Sequence, residues 1–175
     1  MNAKLTRTPG LYLVGFMASG KTTVGRLLAD ELGWYFADLD EDIETRQGTT
    51  ITRIFETRGE PAFRQIETET LRTRVRMVQS GRPHVIALGG GTFAQRENVD
   101  ILEDNGVTVW LDLPLEKVRQ RLAGCEHRPL ARDPQCLEKL FEIRQAIYGK
   151  ADFRIAVDSD NPAVTVAAIL RLPIF

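Results

Sequence analysis

The chain has 175 residues and a net charge of -1, with 43% of its residues apolar and 27% charged. That length fits one domain, residues 1–175, with a substantial core, and near-neutrality gives no electrostatic case for nucleic acid or an anionic membrane as partner. No apolar run approaches the ~20 residues of a membrane helix, the polar, basic start has no signal-peptide core, and two cysteines, Cys125 and Cys136, are too few for a disulfide framework, so a cytoplasmic protein with reduced thiols is expected.

The first predicted element is a buried strand, Leu11-Tyr12-Leu13-Val14. It runs into Gly15-Phe16-Met17-Ala18-Ser19-Gly20-Lys21-Thr22-Thr23, which fits G-x-x-x-x-G-K-S/T, a phosphate-binding loop. Beyond it Val24, Leu27, Leu28 and Leu32 recur at helical spacing. Strand before and helix after is the context that confirms the motif. Gly15 and Gly20 let successive N–H groups turn inward around an anion, and the helix points its positive end at the same place. Lys21 would reach the β- and γ-phosphates, and the Thr22 hydroxyl would ligate Mg²⁺.

Gly33 is a natural stop for that helix, and residues 34–37 read as a second strand ending in Asp38-Leu39-Asp40. A strand–helix–strand unit of this length implies a right-handed crossover and a parallel sheet. Residues 42–58 look helical with a break at Gly48, Thr50 capping the second piece. Gly59-Glu60-Pro61 punctuates, and residues 63–78 form a longer helix with Phe63, Ile66, Leu71, Val75 and Val78 on its apolar side. A third strand, 85–88, enters Gly89-Gly90-Gly91. Then come a helix over 98–105, an apolar strand over 107–111, suited to burial on both faces, and a helix over 115–122. A charged, turn-rich stretch, 124–134, precedes a helix over 137–148, a strand over 153–157 and a last helix from Pro162 to about residue 172. This alternation predicts an α/β fold, three layers α/β/α around a five-stranded parallel sheet.

In such a sheet, ligands bind beyond the carboxyl ends of the strands. The phosphate loop, the Asp38–Asp40 pair and the three glycines then share one edge. Of the two carboxylates, one can hold Mg²⁺ through water and the other can accept from a substrate hydroxyl; the alternative is a pair of surface acids capping the next helix. Three consecutive glycines suit backbone that must approach a ligand, or a flexible turn. Arg64 and Glu67 form an i,i+3 pair, either a surface ion pair or an arginine held ready for a substrate carboxylate. The loop containing Glu126-His127-Arg128-Pro129-Leu130 suggests a lid that brings Arg128 onto the transferring phosphate, or an ordinary exposed loop. Asp112, ending an apolar strand, competes with Asp38 for the metal, and Asp38 is preferred for its place beside Asp40. His84 and His127 are isolated and read as neither base nor ligand.

In order and spacing, these segments resemble shikimate kinase, a family of small P-loop kinases. The resemblance runs through the phosphate loop, Asp38-Leu-Asp40, Gly59-Glu-Pro-Ala-Phe63-Arg64-Gln-Ile-Glu67, Gly89 to Gly91, Arg128-Pro-Leu130, Arg144-Gln-Ala-Ile-Tyr148 and Asp158 to Pro162. It implies a P-loop kinase fold with a substrate-binding region at about 40–80 and a short lid at about 124–134. It implies transfer of the ATP γ-phosphate to the 3-hydroxyl of shikimate, on the route to aromatic amino acids, by a cytoplasmic monomer whose partners are small molecules. By the same resemblance, Asp38 and Thr22 would serve Mg²⁺. Asp40 would bind the shikimate hydroxyls as base or orienting group, Arg64 and Arg144 would clamp its carboxylate, and Gly89, Gly90 and Gly91 would shape the pocket floor. Gly15, Ala18, Ser19, Gly20, Lys21, Thr22 and Thr23 would hold the ATP phosphates, with Lys21 and Arg128 on the transferring group. Arg121 would lie against adenine, flanked by Asn161 and Pro162. The chain departs from the family pattern at Ala18, where glycine is common, at Thr92-Phe93 after the glycines, and at Ala131.

The nearest alternatives are a gluconate kinase or a nucleoside monophosphate kinase. A GTPase-type switch is disfavoured because Asp30-Glu31-Leu32-Gly33 falls within the first helix and no N-K-x-D occurs.

Overall fold

The computed structural model describes residues 10–123 and 133–175. The expected lid, with Arg128, His127, Cys125 and Ala131, therefore lies outside the described residues, as do residues 1–9. In chain order the elements are β1 (Gly10–Val14), α1 (Lys21–Leu32), β2 (Tyr35–Asp38), α2 (Leu39–Gln47), α3 (Ile51–Gln79), β3 (His84–Ala87), a 3₁₀ turn (Thr92–Ala94), α4 (Arg96–Glu103), β4 (Val107–Asp112), α5 (Leu115–Leu122), α6 (Pro134–Tyr148), β5 (Phe153–Ala156) and α7 (Pro162–Leu170).

Among the described residues the strands form one parallel sheet in the order β2-β3-β1-β4-β5. β1 is central, with Leu11 opposite Val85 of β3 on one side and Val107 of β4 on the other. Every residue of β1 and β3 is buried, so both faces of the sheet are covered, as a parallel sheet requires. The edge strands β2 and β5 are only partly covered, each with one fully buried residue, Ala37 and Ile155. α1 packs with α7, and α3 with α4. Leu27, expected on the apolar side of α1, is 39% exposed, and Ala29 and Gly25 turn to the sheet instead. No helix of the described residues is long and apolar enough to cross a membrane.

The expected punctuation at residues 59–61 is a kink inside α3 rather than a loop. Gly59 has φ 80° and ψ 170°, a conformation open almost only to glycine. Pro61 follows in the first turn of the resumed helix, where its missing N–H costs no hydrogen bond. Thr50 caps the front of α3 by accepting from the Arg53 N–H (3.2 Å), and Glu44 on α2 accepts from the Ile51 N–H (2.9 Å). Asp42 and Arg74 add a bidentate ion pair between α2 and α3, at 2.5 Å through each oxygen. The kink and these ties fix where Glu60, Arg64 and Glu67 emerge on the following turns. Gly59→Ala should destabilise the protein by about 1–3 kcal/mol; an unchanged denaturant midpoint would mean that the kink imposes no such strain.

Candidate active site

Strand β1 ends at Val14 and α1 begins at Lys21, with the phosphate loop between them. Gly15 (φ 152°) and Gly20 (φ 92°) take the backbone angles expected of glycine here. Ala18 does the same without being glycine, at φ 62°, alone among the described non-glycine residues. A side chain in that left-handed region costs roughly 1–2 kcal/mol. Arg121 of α5 donates from Nη1 to the Ala18 carbonyl (2.8 Å) and from Nη2 to Asp160 (2.9 Å), so the strained residue is held from the far side of the loop. Lys21 is folded over the loop, donating to the carbonyls of Gly15 (2.8 Å) and Phe16 (3.0 Å). Ser19 Oγ is buried with no partner among the described residues. Such orphaned groups are rare in folded proteins, and this one lies in a loop built to receive an anion.

Asp38 serves two elements at once. Its Oδ2 accepts from the Thr22 hydroxyl at 2.5 Å, and its Oδ1 accepts from the Asp40 (3.0 Å) and Glu41 (3.4 Å) N–H groups as the N-cap of α2. The helix-capping and metal-site readings of this acid are thus compatible. The competing acid, Asp112, accepts from Arg154 (2.8 Å to Nε) and Gln145 (3.3 Å). Asp40 stands in the first turn of α2, not on the end of the strand, because Asp38 starts the helix two residues earlier. Burial pushes its carboxyl up to about 6; the Asp38, Glu67 and Glu44 charges push the same way, and Lys21 opposes them. Lys21, Thr22, Thr23, Asp38, Asp40, Glu44 and Gly90 line one cavity of about 830 Å³.

The triple glycine is wedged between two arginine-bearing helices. A methyl on Gly91 would stand 2.6 Å from Arg64 Nη2, so the guanidinium lies directly against this backbone and would have to shift to admit a side chain. Arg64 gives Nη1 to Glu67 (2.8 Å) and Nε and Nη2 to Glu60 (3.3 and 3.2 Å). Glu60 is exposed, but Glu67 is 1% exposed, so this is no surface pair. The other Glu67 oxygen accepts from the Thr92 hydroxyl at 2.6 Å. Asn98 in turn donates to the Thr92 carbonyl (3.0 Å) and accepts from Thr68 (2.8 Å). Thr68, Thr92 and Asn98 are all buried. In the sequence Thr92 stands out only as a departure from the family pattern, and Asn98 and Thr68 not at all, because single buried polar residues in or beside amphipathic helices carry no periodic signal. Arg144 is half-buried on α6, one turn before Tyr148, whose hydroxyl donates to the Gly90 carbonyl at 2.6 Å.

On the other side of the loop, Ser19, Gly20, Thr23, Lys117, Arg121 and Pro162 are among the residues around a second cavity of about 410 Å³. Asn161 is not among them. It is exposed, and its side chain caps α7 through the Ala163 N–H (3.0 Å).

A phosphate loop at the centre of a 2-3-1-4-5 parallel sheet, with a carboxylate of raised pKa in the adjoining cavity, defines a P-loop kinase acting on a small molecule. The sequence model of the shikimate kinase family matches residues 17–172, and the chain belongs to that family. A shikimate kinase from Persephonella marina is 41% identical over 91% of this chain and 96% of its own length. One from Synechococcus elongatus is 43% identical over 93% and 85%. The structure of the Acinetobacter baumannii shikimate kinase in complex with shikimate superimposes with a TM-score of 0.86 at 38% identity, covering 94% of this chain and 92% of that one.

Ala18→Gly is expected to stabilise the protein by about 1 kcal/mol, the left-handed penalty recovered, and to raise Tm by roughly 2–4 °C for a chain of this size. A lower Tm would mean that the alanine methyl packs more favourably than its backbone angle costs.

Proposed function

We propose that this chain transfers the γ-phosphoryl group of ATP to the 3-hydroxyl of shikimate. The observation that carries the reading is a cavity that joins the phosphate loop to Asp40 and Gly90, in a member of the shikimate kinase family. Family membership implies ATP as the phosphoryl donor; the Mg²⁺ and the residue roles below are our inference.

ATP phosphates would lie in the loop from Gly15 to Thr23, with the base toward the cavity beside Arg121 and Pro162. Thr22 Oγ1 and the Asp38 carboxylate, already in contact, offer the hydroxyl and carboxylate oxygens that suit Mg²⁺. Bound there, the ion would neutralise charge on the β- and γ-phosphates. Lys21 would leave the loop carbonyls for the transferring group, exchanging neutral acceptors for charged ones. Arg64, backed by Glu67, and Arg144 on α6 would grip the shikimate carboxylate from either side of Gly89–Gly91. That grip points the ring hydroxyls at Asp40. As the hydroxyl oxygen bonds to the γ-phosphorus and the bond to the bridging oxygen breaks, Asp40 would accept the hydroxyl proton. Such transfer asks the protein mainly for position and positive charge. Arg128 completes the reading from the lid, and the enzyme is taken to act as a cytoplasmic monomer.

ADP release with MgATP should be strong with shikimate and absent with gluconate, AMP, CMP or water alone. Turnover with another acceptor would overturn the acid pocket built on Arg64 and Arg144. Lys21→Ala should abolish this turnover; a near-normal kcat would remove Lys21 from its role.

Asp40 makes a further prediction, in two parts. A carboxyl raised to about 6 stabilises the fold fully below its unfolded value, near 4, and that stability is lost as pH rises through 6. Asp40→Asn removes a charge that is unfavourable at neutral pH. It should therefore stabilise the protein there, on the order of 1–3 kcal/mol at pH 8, while costing most of kcat. Equal Tm values for the two proteins at pH 8 would argue against the shift, and an unchanged kcat against the role.

A further inference from the structure

Helix α6 carries Phe141, Arg144 and Tyr148 at positions i, i+3 and i+7, on one face. The two outer residues are fastened to different parts of the site. The Phe141 ring meets Phe16 of the phosphate loop edge-on, with centroids 5.2 Å apart and planes at 77°. Tyr148 is 1% exposed, its ring 6.1 Å from Trp110, and its hydroxyl donates to the Gly90 carbonyl at 2.6 Å. Arg144 stands between these anchors. Its charge is close enough to act on the Tyr148 phenol, which burial pushes above its usual range and the guanidinium pulls back.

The ring of Tyr148 accounts for packing; the hydroxyl has a separate task. The peptide unit is planar and trans, so the Gly90 C=O and the Gly91 N–H point in opposite directions. Bonding that carbonyl to α6 turns the Gly91 N–H away from α6, and Gly91 itself lies against the Arg64 guanidinium. One hydrogen bond thus sets the orientation of the peptide beside Arg64 and the distance of α6 from it.

We propose that Tyr148 is a positioning residue of the acid pocket: its hydroxyl, bonded to the Gly90 carbonyl, fixes Arg144 relative to the Gly89–Gly91 backbone and so sets affinity for the acid substrate, not for the nucleotide. This rests on the shikimate-phosphorylating reading above. Phe141 holds the other end of the same face, next to the phosphate loop, so the hydroxyl governs only the acid end.

The test is Tyr148→Phe in the full chain, which keeps the ring and removes one donor. The KM for shikimate should rise about tenfold, the effect of one unmet buried acceptor, while the KM for ATP stays within about twofold and Tm falls by only a few degrees. In an Arg144→Ala background, the same change should raise the KM for shikimate by less than about twofold, because the two residues act as one unit. An unchanged KM for shikimate, a parallel rise in both KM values, or an undiminished effect in the Arg144→Ala background overturns the proposal. A wild-type protein inactive on shikimate would sink the functional reading instead. Amide hydrogen exchange then decides the geometry. Tyr148→Phe should speed exchange across residues 89–94 and leave residues 15–23 unchanged, and equal exchange in both segments overturns it.

Discussion

The Asp38 carboxylate is the joint on which the site depends. One oxygen takes the Thr22 hydroxyl at the front of α1, and the other closes the N-terminus of α2. Without that joint, the phosphate loop and the helix carrying Asp40 would be separate structures. Because the same carboxylate caps the helix and meets the phosphate loop, the position of Asp40 is tied to that of the loop. Arg26 on α1 and Glu41 on α2 repeat the link at the surface, with both Glu41 oxygens 2.8 Å from Nη2. An exposed pair contributes little by itself, so the short, part-buried contacts of Asp38 carry the arrangement.

Around this joint the structure gathers negative charge. Asp38, Asp40, Glu44 and Glu67 all stand near the cavity, and the first, third and fourth raise the pKa of the second. The arrangement opposes its own folding and favours whatever positive charge enters. Lys21 and Arg64 answer part of it within the chain. The rest is unspent until a cation or a neutralising ligand arrives, which is one reason a phosphoryl-transfer site gains stability on loading.

Much of this was legible in the sequence, and the reasons differ by element. The phosphate loop is local, with its chemistry written in nine consecutive residues. The five strands are short apolar runs between glycine and proline punctuation, and their parallel pairing follows from the helices between them. Helix ends were less legible: α2 begins at Leu39 because Asp38 caps it, while the sequence equally allowed a strand end there. The two-part course of α3 is legible, since Gly59 and Pro61 mark the place where the backbone leaves the helical angles. Least legible were the contacts across the fold. Thr92, Asn98 and Thr68 are spread over 31 positions, and nothing in their spacing says that they meet. Tyr148 is the same case, 58 positions along the chain from Gly90.

The buried chain from Thr68 through Asn98, Thr92 and Glu67 to Arg64 also limits what this pocket can become. A lineage, or a protein engineer, remaking this corner of the molecule would have to deal with Arg64 and Glu67 together. Replacing Arg64 alone leaves Glu67 buried without its counter-ion, and removing one partner of a buried pair typically costs about 3–5 kcal/mol. Replacing Glu67 first leaves Arg64 without its deeper partner and the Thr92 hydroxyl without an acceptor. Each single step carries a cost that a double replacement by well-packed apolar groups avoids. The two positions are thereby tied: whichever changes first does so at a cost in stability that a matching change in the other offsets.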